Sequence, residues 1–168
     1  AEYIAFTWPV ATTWLNAARR LNVSKAKTHK RFGVSLATKN LIGILPGQHL
    51  GFPKLSNLHE HVPKLLLDLL KRSPRTLNII DGINGVEGNG PMHGSVTCSN
   101  FVVMGTNAYA CDIRAIIEMG FHPAVVPSAI RPFDCLDELG CQKSESFITM
   151  RNTYYDFLPS FSCSWMYK

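Results

Sequence analysis

Apolar and polar residues recur with two different periods along this chain, and the changes of period mark its elements. Residues 20–24 (Arg-Leu-Asn-Val-Ser) carry the alternation of a short strand. If the chain stays extended through 29, the period of two places Lys25, Lys27 and His29 on one face. Residues 34–45 predict a helix with Leu36, Lys39, Asn40 and Gly43 on a common side, ended by Pro46-Gly47. A loop follows, and Pro63 suits a first helical position ahead of the stripe Leu66, Leu69 and Leu70. Thr76 to Ile80 is a compact strand that opens into a long glycine-rich turn over 81–94, and Val96 to Met104 is a second buried strand. Thr106 or Asn107 can cap a helix over 108–119, with Gly120 at its left-handed end. A further helix is expected within 124–139 and a last strand over 146–150. Strands alternating with helices predict an α/β fold, a mostly parallel sheet with helices on its faces, in a single domain over 1–168.

An apolar share of 46% and a charged share of 17% fit a chain of 168 residues with a buried core, not a disordered one. No apolar run approaches the ~20 residues that span a bilayer, and the first residues lack the pattern of a signal peptide. The five cysteines (98, 111, 135, 141 and 163) form no C-x-x-C pair, so neither an iron–sulfur cluster motif nor a zinc knuckle is present. Free thiols in a reducing, cytoplasmic setting are the expectation.

The net charge of +5 is unevenly spread. Between Tyr3 and His59 there is no acidic residue, while eight cations fall in that interval. Such asymmetry points to an anionic ligand or partner for the first third. Lys25-Ala-Lys-Thr-His-Lys-Arg31 concentrates donors suited to phosphate or carboxylate. Only Phe32 lies near it, so the aromatic interleaving of a nucleic-acid site is missing.

The turn over 81–94 holds five glycines in fourteen residues, together with Asp81, Asn84, Glu87, Asn89 and His93. Glycines let a ligand approach backbone closely, and these side chains can bind a hard cation or move protons. The competing reading is a tight structural turn whose Asx side chains bond their own backbone. Asp112 stands out because its helix stripe is otherwise Ala108, Cys111, Ala115, Ile116 and Met119. A carboxylate there needs partners or a shifted pKa. Lys39, His29 or amides near 81–90 could supply them, and the plainer alternative is an Asp tucked against a neighbouring turn. His59, before the leucine-rich helix, adds a histidine to the possible ligand set.

Lys25-Ala-Lys-Thr-His29, Ala37-Thr-Lys-Asn-Leu-Ile-Gly43 with Leu45-Pro-Gly47, His59, Asp81-Gly-Ile-Asn-Gly-Val-Glu-Gly-Asn-Gly-Pro91 and Gly105-Thr-Asn-Ala-Tyr-Ala-Cys-Asp112 together resemble the family called domain of unknown function 362, over roughly residues 10–150. The resemblance implies redox surroundings, since some members are fused to ferredoxin-like modules, but no cluster motif is carried over. It also implies that the domain is incomplete without a preceding α/β half, so that an upstream segment or a second subunit covers an exposed sheet.

The resulting expectation is a small-molecule enzyme, or part of one, that binds an anionic ligand through Lys25, Lys27, Lys39, Asn40, Gly88, Asn89 and Gly90. Asp81, Glu87 and His59 would hold a divalent metal, and His29, Glu87 and Asp112 would move protons. The rival is a non-catalytic module docking an acidic or iron–sulfur redox partner through the basic first third. Neither nucleic acid nor membrane is an expected partner.

Overall fold

The computed structural model describes residues 8–45, 58–126 and 147–151. Its elements run α1 (Thr12–Asn16), β1 (Arg20–His29), β2 (Gly33–Ser35), α2 (Ala37–Asn40), α3 (Leu58–Lys71), β3 (Thr76–Asn89), β4 (His93–Gly105), α4 (Ala108–Glu118) and β5 (Phe147–Arg151), with single 3-10 turns at Leu41–Ile44 and Pro123–Val125. The strands form one sheet in the order β2-β1-β3-β4-β5.

This is an α/β architecture, but the sheet is mostly antiparallel and not mostly parallel. Only β1 and β3 run parallel, with Leu21 opposite Leu77, Val23 opposite Ile79 and Lys25 opposite Asp81. The other three pairings are antiparallel. The reason lies in the glycine-rich stretch. It is no open loop: β3 continues through it to Asn89, and β4 returns from His93, so a tight hairpin replaces the crossover that parallel neighbours need.

Glycine is required where the hairpin tip meets the end of β1. A Cβ on Gly90 would lie 2.2 Å from the Thr28 carbonyl oxygen and 2.8 Å from its hydroxyl. The Thr28 hydroxyl donates to the Gly88 carbonyl at 2.8 Å, and the Lys30 N–H donates to the Gly90 carbonyl at 3.2 Å. The turn is therefore seated on β1. This contact explains why burial stops alternating at the strand end, where both Thr28 and His29 are buried.

Helices cover one face of the sheet. Ala26, Ile80, Phe101 and Val103 meet Cys111, Ala115 and Ile116 of α4, and Met119 just past its end, in the main core. A second cluster joins Leu65 and Leu69 of α3 to Leu41 and Leu45. Arg20 ties α1 to the sheet by donating to the carbonyls of Trp14, Leu15 and Pro74, each at 2.7 Å. An amide chain, buried at Asn22 and Asn78, crosses three strands: Asn40 donates to Asn22, Asn22 to Asn78, and Asn78 to the Gly105 carbonyl. On the opposite face Leu21, Val23 and Leu77 are 58%, 53% and 43% exposed.

Several expected boundaries move. Residues 34–45 are not one helix, because Val34 and Ser35 pair with β1 and only one α-helical turn and one 3-10 turn follow. α3 begins at Leu58, ahead of Pro63, whose missing N–H forfeits a single intrahelical bond. Asn107 is the cap of α4, accepting from the amides of Tyr109 and Ala110, and Gly120 takes φ +81° as expected. The helix within 124–139 lies largely outside the described residues, and its described beginning is a 3-10 turn.

Seating of the hairpin tip predicts that Gly90→Ala destabilises the chain by about 2–3 kcal/mol, since the clash is with backbone. Gly88, at φ +76° with open space around it, should cost only about 1 kcal/mol as Ala. Urea unfolding of both variants checks the order, and equal losses would refute the seat.

Candidate anion site

Register brings the early cations to the glycine-rich strand. Lys25 stands beside Asp81 across the parallel pair, and its Nζ donates to Asp81 Oδ2 at 2.5 Å. Both side chains are about a third or more exposed, so the pair contributes at most ~1 kcal/mol. Lys27 follows on β1, opposite Val86 on one side and Ser35 on the other. Lys39 comes from α2 and holds its ammonium 5.6 Å from the centre of the Phe32 ring. Burial pushes the Lys39 pKa down, and repulsion from Lys27 pushes it further the same way. Among the described residues neither Lys27 nor Lys39 forms an ion pair with a carboxylate. Two ammonium groups that repel each other in a partly desolvated place favour an anion between them.

His29 lies next to this cluster with its ring 5.1 Å from that of Phe32. Its Nδ1 accepts from the amides of Arg31 and Phe32, at 3.2 and 3.3 Å. The imidazole thus closes the β1–β2 turn, and the neutral ring carries its proton on Nε2. A nitrogen engaged by two amides is poorly placed as a general base, so the geometry gives His29 a donor's role.

Asp112 does not join the cluster. Its Oδ1 accepts from the Ala37 amide at 2.8 Å and its Oδ2 from the Thr38 amide at 3.1 Å, so it caps the first turn of α2 from α4. This is the contact that the plainer alternative, an Asp against a neighbouring turn, describes. Burial raises its pKa from 3.8 to about 7; the Thr38 hydroxyl and the two amides act against that rise. The hydroxyl lies near the carboxylate without completing a hydrogen bond of good geometry.

Other expected residues fall elsewhere. The Asn40 amide is spent on Asn22 and the Val23 carbonyl. Gly88 and Gly90 shape the hairpin tip and do not line an open phosphate loop. Asn89 pairs with His93 across the hairpin, and Glu87 with Ser95. Asp81 turns Oδ2 to Lys25 and accepts the Ile83 amide on Oδ1 at 3.0 Å, leaving it an electrostatic partner within the strand. The position of His59 is in the first turn of α3, and its side chain is outside the described residues. Among the described residues no three His, Cys, Asp or Glu side chains come together as a metal site would need. A cavity of about 210 Å³ lies at the start of β3, beside Thr76, Asn78, Thr106 and Asn107, and holds none of the expected ligand residues. Thr28 and Phe32 were not singled out as parts of the site. Phe32 was legible only as the one aromatic beside the basic run.

The chain matches the family described as domain of unknown function (DUF362) over residues 2–116. It belongs to that family. A thylakoid-associated protein of Synechocystis sp. is 29% identical over 113 residues, covering 64% of this chain and 34% of the relative. The chain thus spans about a third of that relative's length. No solved structure matches the chain. Among the described residues no helix is long and apolar enough to cross a membrane.

The Asp112 cap has a pH signature. Because its folded pKa lies above the unfolded 3.8, the native state keeps a proton that the unfolded chain has released between 3.8 and about 7. This group's contribution is full below pH 4 and is lost as pH rises to about 7, by up to ~1.4 kcal/mol per unit. Urea unfolding across that range should show the slope, and Asp112→Asn, which keeps an acceptor for the amides, should flatten it.

Proposed function

We propose that this chain binds a small anionic ligand carrying a phosphate or carboxylate, held between Lys27 and Lys39, as part of a small-molecule enzyme. The supporting observation is the closeness of two cations that lack a carboxylate partner among the described residues, with one of them partly buried over an aromatic ring. Lys25, tied to Asp81, borders the site and adds field without being free to clamp. His29, whose Nδ1 is held by the Arg31 and Phe32 amides, shapes the turn beside the site and is not its proton-abstracting base. Asp112 acts one step away, because its cap sets the start of the helix that carries Lys39.

Inorganic phosphate and malonate, titrated at constant ionic strength, test this reading through thermal stability. A ligand at 100 times its Kd stabilises by ~2.7 kcal/mol, which raises the melting temperature by several degrees. Lys27→Ala and Lys39→Ala should each remove most of the rise, while Lys25→Ala removes little. No rise with either anion, or the same rise in Lys39→Ala, would refute the site. Binding of an acidic polypeptide with no response to either small anion would favour the docking module instead.

A further inference from the structure

Two lysines come together near the C-terminal end of β1 by different routes. Lys27 pairs with Ser35 of β2, and two residues further on the chain enters α2 at Ala37. That helix turns back along the edge of β1, because the Asn40 amide donates to the Val23 carbonyl at 3.1 Å. Lys39 lies between those two anchors. Its side chain is half-buried, with the nitrogen 5.6 Å from the centre of the Phe32 ring. The Asp112 carboxylate fixes the first turn of the same helix by accepting the Ala37 and Thr38 amides.

The lysines of this region differ in what their nitrogens face. Lys25 is committed to Asp81, and Lys30 is exposed to water. Lys39 has no carboxylate partner among the described residues and only partial access to water. Burial and repulsion from Lys27 both favour its neutral form. A neutral amine keeps a lone pair that an ammonium lacks, so a lysine in this setting is a nucleophile as well as a charge. An ion such as phosphate would use both lysines for their charge alone. An acid with a carbonyl next to its carboxylate would use them in two different ways, one as a cation and one as an amine.

We propose that Lys39 is a nucleophile that forms an imine with the carbonyl of a small 2-oxo acid, whose carboxylate is held by Lys27. This chemistry rests on the anion site of the preceding subsection and names a ligand class for it. The lone pair of Lys39 Nζ makes a bond to the carbonyl carbon, and the C=O π electrons move to the oxygen. Both N–H protons of the neutral amine end on that oxygen, which departs as water when the C=N bond forms. Nothing is oxidised or reduced, and no further reactant enters. The imine draws electrons from the carbons beside it, so a C3 proton of the acid is released more readily to give the enamine.

Pyruvate with sodium cyanoborohydride, which reduces an imine to a stable secondary amine, is the probe, and peptide mass mapping reads the site. The adduct should form on Lys39 about tenfold faster than on Lys25 or Lys30. Acetone, a carbonyl without the carboxylate, should label Lys39 about tenfold more slowly than pyruvate does. Malonate should slow the pyruvate reaction by competing for Lys27, and Lys27→Ala should lose most of the Lys39 adduct. Lys39→Arg, which keeps the charge, should gain no adduct elsewhere and should still be stabilised by malonate. Uniform labelling of the three lysines, equal labelling by acetone, or an adduct unchanged in Lys27→Ala overturns the proposal. The melting temperature separates the two readings. With uniform labelling, a rise with malonate leaves the anion site standing and removes only the nucleophile, whereas no rise with malonate or phosphate removes both.

Discussion

A single buried carboxylate connects the two halves of the helical layer. Asp112, on the core stripe of α4, accepts the first amides of α2 and so determines where that short helix begins. Four residues cannot hold a helix by their own hydrogen bonds, because nucleation costs more than one turn returns. The turn that carries Lys39 exists because a distant side chain completes it. Everything proposed for the cation pair passes through that contact, since β1 presents Lys27 and only α2 can bring Lys39 to it. Burial holds the Asp112 carboxyl near neutrality, so its cap and the placement of Lys39 share a dependence on pH.

The glycine-rich stretch shows how one composition supports two physical readings. Glycines permit a ligand to approach backbone, and they equally permit backbone to approach backbone. Here the second use prevails at Gly90, where the space a side chain would need is taken by Thr28. With the hairpin seated, the backbone of the stretch is used in strand pairing, and among the described residues no three His, Cys, Asp or Glu side chains gather as a metal site would need. Asp81 retains electrostatic work through its register with Lys25.

Among the described residues, helices pack on one face of the sheet only. The chain's cations are gathered near the ends of β1 and α2, close to an edge that among the described residues is only partly paired.

Much of the fold was legible in the amino-acid order, for reasons that are local. β1, the core of β3, β4 and α4 follow from alternation or helical stripes, and Asn107 and Gly120 are end signals whose chemistry is contained within a few residues. The gathering of cations in the first third, the oddity of Asp112 and the family itself were also readable without coordinates. Tertiary structure alone decided strand direction, because a glycine-rich run can close a hairpin or open a loop with the same residues. It alone chose the amides of residues 37 and 38 as the partners of Asp112, and it alone brought Lys39 to Lys27. Those outcomes depend on contacts between residues far apart in sequence, whose energies no local pattern encodes.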